Sequence, residues 1–226
     1  MTPEPIFPSI LSTNFFDLES HLREFENHHI EFIHLDVMDG HFVDNLSFGP
    51  SAIKAIKSKF NFKFDSHLMI DNPMKMIPKF IAGGSDWISF HLEVVDKDSV
   101  REVIRLIKDG PCKAGLVINP STEVSDVFPY LDQLDYVLIM SVFPGYSGQK
   151  FIPETVGRVA ELKRRLTQTG SPCRIAVDGG VNADNIGDLK QAGADFFVIG
   201  TFLYNSENID ETLTYIRKKL NMEQSY

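Results

Sequence analysis

Two histidines and two aspartates have the types and surroundings to do chemistry together. His34 and Asp36 lie two residues apart in FIHLDVMDG (Phe32 to Gly40), His67 opens HLM (His67 to Met69), and Asp178 sits in VDGGV (Val177 to Val181). Imidazole and carboxylate donors together suit a divalent cation such as zinc, iron, cobalt or manganese, and residue types alone do not choose among these metals. Taken singly, each has a plainer role, as a hydrogen-bonded interior histidine or an aspartate that caps a turn. Their placement joins them. In FIHLDVMDG a period of two puts His34, Asp36 and Met38 on one face and Ile33, Leu35 and Val37 on the other. The apolar face suits packing under helices, whereas the opposite face buries groups that are costly unless paired or bound to a cation.

Glycines supply a second chemical signal. FPGYSGQ (Phe143 to Gln149) and VDGGV each follow a short apolar run, and Gly200 with Thr201 closes another. Glycine lets a backbone approach a ligand closely and present its amides to an anion, and phosphate sites in barrels form preferentially after the seventh and eighth strands. Each glycine alone is a turn residue; three such loops converging on one rim point to a phosphate site. Lys150 either adds charge there or is a solvated surface lysine.

Elements able to gather these groups recur along the chain. Eight runs rich in β-branched and aromatic residues are predicted as strands: Ile6 to Leu11, Phe32 to Met38, Phe62 to Met69, Trp87 to Glu93, Lys113 to Asn119, Tyr136 to Val142, Cys173 to Asp178 and Phe196 to Thr201. Helical periodicity follows each, at Asp17 to Asn27, Pro50 to Lys59, Pro73 to Ala82, Lys97 to Lys108, Glu123 to Leu131, Pro153 to Thr167, Ala183 to Ala192 and Asn208 to Leu220. Pro50, Pro73 and Pro153 fit first helical turns, and Gly83 with Gly84, Gly110, Gly170 and Gly193 fit helix ends. Strict strand–helix alternation over 226 residues, near the roughly 250 of an α/β barrel, predicts a single α/β domain, one (β/α)8 TIM barrel spanning 1–226. A Rossmann-like sheet ranks below it, because no GxGxxG follows the first strand. The strand ends then offer Ser9, His34, Asp36, Met38, His67, Met69, His91, Glu93, Asn119, Met140 and Asp178 to one face. Residues 221–226 read as a frayed tail.

A net charge of −9 disfavours nucleic-acid and anionic-membrane partners. Cys112 and Cys173 fit no CxxC spacing and read as idle thiols of a reducing compartment. The start MTPEPIFPS has no basic or apolar leader character, and no run approaches a membrane span, so the expectation is a cytoplasmic protein.

In order along the chain, PSIL (Pro8 to Leu11), HLDVMDGHFVDN (His34 to Asn45), FGP (Phe48 to Pro50), HLM, NP (Asn72 and Pro73), HLE (His91 to Glu93), GLVINP (Gly115 to Pro120), MSVFPGYSGQKF (Met140 to Phe151) and VDGGV together resemble the ribulose-phosphate 3-epimerase family. The resemblance implies a (β/α)8 barrel that holds one divalent metal ion through His34, Asp36, His67 and Asp178. It implies Asp36 and Asp178 as the acid/base pair, substrate contacts from Ser9 and His67, and Met38, Met69 and Met140 around the reacting carbons. It further implies phosphate binding by Gly145, Tyr146, Ser147, Gly148, Gly179, Gly180, Gly200 and Thr201, and a homo-oligomer acting on a phosphorylated ketose, interconverting D-ribulose 5-phosphate and D-xylulose 5-phosphate. Inversion at a carbon next to a ketone takes a proton from one face and returns one to the other, which two positioned carboxyl groups can do.

The chain departs from the family pattern at Asp44, Phe143, Ser147 and Thr201, and Phe202, Leu203 and Tyr204 stand where smaller residues are usual. None of these positions touches the four proposed ligands and all are expected near the phosphate or sugar end, so the alternative substrate is a hexulose phosphate, D-allulose 6-phosphate giving D-fructose 6-phosphate. Lyase and decarboxylase barrels of this type use a DxKxxD-like motif, and DVMD (Asp36 to Asp39) has no lysine.

Overall fold

The computed structural model describes residues 4–206 and 208–220. Its eight strands are β1 (Ile6–Pro8), β2 (Phe32–Met38), β3 (Lys63–Met69), β4 (Trp87–His91), β5 (Lys113–Ile118), β6 (Tyr136–Met140), β7 (Arg174–Asp178) and β8 (Phe196–Ile199). The helices are α1 (Leu18–Asn27), α2 (Pro50–Lys57), α3 (Pro73–Gly83), α4 (Val100–Lys108), α5 (Thr155–Thr169), α6 (Ile186–Ala192), α7 (Thr201–Tyr204) and α8 (Ile209–Lys219). All strand pairs are parallel, in the order β1-β8-β7-β6-β5-β4-β3-β2, and β1 meets β2 through one bridge, Ser9 to His34. The predicted TIM barrel is therefore present, nearly closed, with its last join made beside His34.

Alternation along β2 sorts its side chains as the sequence requires. Ile33, Leu35 and Val37 join the apolar layer between sheet and helices, while Phe32 joins the barrel interior. The first residues of β2, β4, β6 and β8 are Phe32, Trp87, Tyr136 and Phe196, and with Phe7 they fill the bottom of the barrel. Their rings sit 4.6 Å (Phe7–Phe32), 5.0 Å (Phe32–Trp87), 4.9 Å (Trp87–Tyr136) and 5.1 Å (Trp87–Phe196) apart. Such spacings are those of favourable aromatic pairs, so the floor is solid and functional space exists only above it.

Several boundaries differ from expectation. β1 stops at Pro8 because the Ser9 hydroxyl accepts the Leu11 amide and starts a 3-10 turn at Ile10–Ser12. β4 gives way to a 3-10 turn at Leu92–Val94. The segment after β5 is a 3-10 helix, Val124–Tyr130, rather than an α-helix. Pro129 removes a donor from a seven-residue segment that has few to spare. Gly84, Gly170 and Gly193 do cap helices in left-handed conformations, but the cap of α4 is Asp109, not Gly110. Among the described residues no helix is long and apolar enough to cross a membrane, and the expected frayed tail lies outside them.

Candidate active site

The upper ends of β2, β3 and β7 bring His34, Asp36, His67 and Asp178 together, with one donor atom of each within 4.8 Å of the others. His34 Nε2 lies 3.4 Å from Asp36 Oδ1 and 3.7 Å from Asp178 Oδ2; His67 Nδ1 lies 3.4 Å and 3.5 Å from the same two atoms. Both ring nitrogens are buried and have no hydrogen-bond partner. Buried polar atoms are nearly always paired, so two bare nitrogens facing two carboxylates mark a place for a cation. Two imidazoles and two carboxylates also match the donor preferences of a divalent transition metal. The set could hold such an ion, and it fits one.

Each histidine is oriented from behind. His34 Nδ1 meets Asp65 Oδ2 at 2.8 Å, and Asp65 Oδ1 accepts the Tyr136 hydroxyl at 2.6 Å. His67 Nε2 meets His91 Nε2 at 2.8 Å, and His91 Nδ1 donates to Glu93 at 3.1 Å. The Ser9 hydroxyl donates to Asp36 Oδ2 at 2.5 Å, and the Ser47 hydroxyl to the Asp36 carbonyl at 2.5 Å. Sequence reasoning missed Asp65 and Tyr136. Asp65 had a readable signal, since it precedes His67 by two and so shares its face.

Charge follows this geometry. Burial opposes ionisation of Asp36, yet the facing His34 and then His67 hold its carboxyl well below the usual carboxylate range. Burial likewise opposes protonation of His34, but the Asp36 charge, helped by Asp65, holds it well above the ordinary imidazole value; His67 is raised by Asp178 and Asp36 against the same penalty. His91 goes the other way, pushed down to about 4 by burial, and is neutral. The thiols take no part: both are buried, and burial pushes Cys112 up to about 11 and Cys173 to about 12.

Above the cluster opens a pocket of about 500 Å³ including its mouth. Ser9, Asp36, Met38, Met69, Met140 and Asp178 line its lower part; Gly145, Tyr146, Ser147, Gly148, Gly179, Gly180, Gly200 and Thr201 line its rim. His67 is fully buried and is not on this wall, so any part it has in binding runs through the cluster. Lys150 lines an adjoining cavity instead. Phe143 and Gln149 of the FPGYSGQ loop also face the pocket, together with Leu11, Ser12, Val142 and Val198, which nothing in the sequence marks as binding residues. Ser12 follows Ser9 by three residues, one turn of the 3-10 segment, and its hydroxyl lies 3.3 Å from that of Thr201. The loop after β2 is tied across to the loop after β6, because Asn45 donates to the Gly145 carbonyl at 2.9 Å and the Tyr146 hydroxyl to that of Asp44 at 3.0 Å. At Gly180 a Cβ would come within 2.8 Å of the Phe151 amide nitrogen, and φ is +63°, so only glycine lets this loop fold onto its neighbour.

Known proteins resemble this chain over most of its length. Ribulose-phosphate 3-epimerase of Escherichia coli strain K12 is 38% identical over 216 residues, covering 95% of each chain. Ribulose-phosphate 3-epimerase 2 of Cupriavidus necator is 42% identical over 207 residues, covering 90% of this chain and 85% of its own. The 3-hexulose-6-phosphate synthase of Salmonella typhimurium superposes with a TM-score of 0.73 at 15% identity over 96% of this chain and 99% of its own, a likeness of fold alone. Residues 5–204 match the Ribulose-phosphate 3 epimerase family. The chain is an isomerase that belongs to the ribulose-phosphate 3-epimerase family.

Proposed function

We propose that the protein is a metal-dependent 3-epimerase that interconverts D-ribulose 5-phosphate and D-xylulose 5-phosphate by two-base proton transfer at C3. The observation that carries the reading is that Asp36 of β2 and Asp178 of β7 enter one pocket from strands on different sides of the barrel, beside two bare imidazole nitrogens. With the ketose between them, one carboxylate takes the C3 proton and the other, protonated, returns one to the opposite face. The resulting enediolate collapses to the inverted product, and the reverse reaction exchanges the two roles. A divalent ion held by His34, Asp36, His67 and Asp178, whether zinc, iron, cobalt or manganese, would supply Lewis-acid stabilisation of the enediolate charge.

The remaining residues bind and orient. Ser9 fixes the Asp36 carboxylate through its 2.5 Å hydrogen bond, and so aims the oxygen that faces the cluster. Met38, Met69 and Met140 give the reacting carbons an apolar, polarisable wall that excludes water. The glycine loops Gly145 to Gly148, Gly179 to Gly180 and Gly200 to Thr201 receive the phosphate on backbone amides, which supplies binding energy remote from the chemistry. The proposal extends to a homo-oligomer acting in the cytoplasm, with no nucleic-acid or membrane partner, in keeping with a net charge of −9.

A second reading, epimerisation of a hexulose phosphate such as D-allulose 6-phosphate, draws on the adjoining cavity. It shares Gly148, Gly180, Gly200 and Thr201 with the pocket rim and continues past them to Phe202 and Asn205. The deciding experiment is kcat/KM on both ketose phosphates, with deuterium exchange from solvent into C3 followed by NMR. Exchange with the pentulose as the better substrate supports the first reading. A hexulose preference supports the second, and exchange into neither sinks both.

A further inference from the structure

We infer that Glu93, acting through His91, fixes the tautomer of His67 that presents a bare Nδ1 to the metal. Glu93 and His91 are positioning residues in this account, which rests on the metal-dependent reading above. Proton counting along three hydrogen bonds gives the argument. A carboxylate only accepts, so the 3.1 Å bond from His91 to Glu93 Oε2 requires the proton on His91 Nδ1. His91 is fully buried and its one carboxylate partner sits on Nδ1, so Nε2, with no anion facing it, is the nitrogen that keeps a lone pair. The 2.8 Å approach of His91 Nε2 to His67 Nε2 is then a hydrogen bond only if His67 carries its proton on Nε2. His67 Nδ1, 3.4 Å from Asp36 and unpartnered, is thereby left open. Were the proton of His91 to move to Nε2, two N–H groups would face each other, and His67 could relieve the clash only by placing its own proton on Nδ1, where the ion belongs.

The surroundings hold this relay in one state. Glu93 Oε1 accepts the Asn119 amide at 2.7 Å and the Thr122 hydroxyl, so its carboxylate cannot swing away from His91. Arg158 of α5 clamps the same loop by donating to the carbonyls of Asn119 and Thr122 at 2.8 and 2.7 Å. Phe42 packs on the His91 ring, 4.6 Å between centroids, and keeps water from competing. The two metal-site histidines are thus set by different devices: His34 directly by Asp65, and His67 by a carboxylate one imidazole further back. Partners of this kind orient a ligand and sharpen affinity without touching the ion.

The test measures zinc affinity by competition with a chelator, and the His67 ring protons by nitrogen NMR of the zinc-loaded protein. His91→Leu is expected to weaken zinc binding about 10- to 100-fold and to remove the His67 Nε2–H signal from its hydrogen-bonded position. His91→Gln, whose amide can accept from His67 and donate to Glu93, is expected to retain most of the affinity. Zinc binding by His91→Leu equal to wild type, with the His67 signal unmoved, overturns the inference. Should that variant fail to fold, Glu93→Ala decides: weaker zinc binding supports the relay and unchanged binding refutes it. Wild-type protein that takes up none of the four metals removes the reading beneath the inference, an outcome separate from any variant's behaviour.

Discussion

Adding a single methyl group at Gly115 is expected to damage the candidate metal site from the barrel interior, without altering any residue that faces the pocket. A Cβ built there would stand 2.3 Å from Tyr136 Cζ and 2.6 and 2.7 Å from its two Cε atoms, where ordinary contact begins near 3.4 Å. The ring has no room to retreat: it is fully buried, with Trp87 at 4.9 Å between centroids. Overpacking of this sort costs about 1–3 kcal/mol. The carbon struck hardest carries the hydroxyl that donates to Asp65, and losing a hydrogen bond to a buried carboxylate costs about 1.5–3 kcal/mol more. Gly115→Ala should therefore destabilise by about 2.5–6 kcal/mol, a fall in Tm on the order of 5–25 °C for a chain of this size. Tyr136→Phe, which loses the hydroxyl but keeps the ring, should cost only about 1.5–3 kcal/mol. Both leave Asp65 with His34 as its remaining side-chain partner, so zinc affinity should fall in both. Calorimetry and chelator competition read the two effects. A Gly115→Ala protein that melts with wild type, or a Tyr136→Phe protein equally damaged, refutes the reasoning.

Asp36→Asn and Asp178→Asn should each lower kcat by about 10²–10⁴-fold while circular dichroism stays native, and near-normal turnover in either would end the two-base assignment. Gly180→Ala, which presses a Cβ to 2.8 Å from the Phe151 nitrogen at φ +63°, should raise KM for a phosphorylated ketose more than it lowers kcat; steady-state kinetics separate the two. In metal-stripped protein, His91 at about 4 against 6.5 unfolded should lose stability as pH falls from 6.5 toward 4. His34, raised above 6.5, contributes stability below that value and loses it as pH rises through its folded pKa, so the stripped protein should melt highest near pH 6.5. Because an ion held by His34 would have to expel its proton, the Tm gap between zinc-loaded and stripped protein should widen with rising pH, and a narrowing gap in melting curves would contradict the assignment.

The sequence made legible whatever depends on local periodicity. β2 runs from Phe32 to Met38 as its alternation requires, and that same alternation placed His34, Asp36 and Met38 together. Loop lengths and helix breaks were less readable: Val124–Tyr130 has apolar spacing that suits an α-helix, and only its brevity and Pro129 tilt it to the tighter form. Least readable was the support behind the ligands. Tyr136 heads a strand that reads as wholly apolar, and its partner Asp65 lies 71 residues away, so no spacing rule connects them. Gly115 looks like an ordinary strand glycine until the Tyr136 ring is seen lying over it.

The single bridge between β1 and β2 has a mechanical consequence. β2 and β3 are in register along seven residue pairs, whereas β1 and β2 are zipped by Ser9 and His34 alone. Strain or thermal opening will part the wall at this seam first, since the least-paired junction has the lowest opening free energy. Parting it pulls the Ser9 hydroxyl from Asp36 and shears His34 from its neighbour, so catalytic geometry is lost while the aromatic floor stays intact. A ligand spanning Ser9 and the β2 residues would act as the missing rivets. Hydrogen exchange confined to β1 and the first turn after it, slowed when ligand binds, would be the signature of a barrel whose occupant completes its wall.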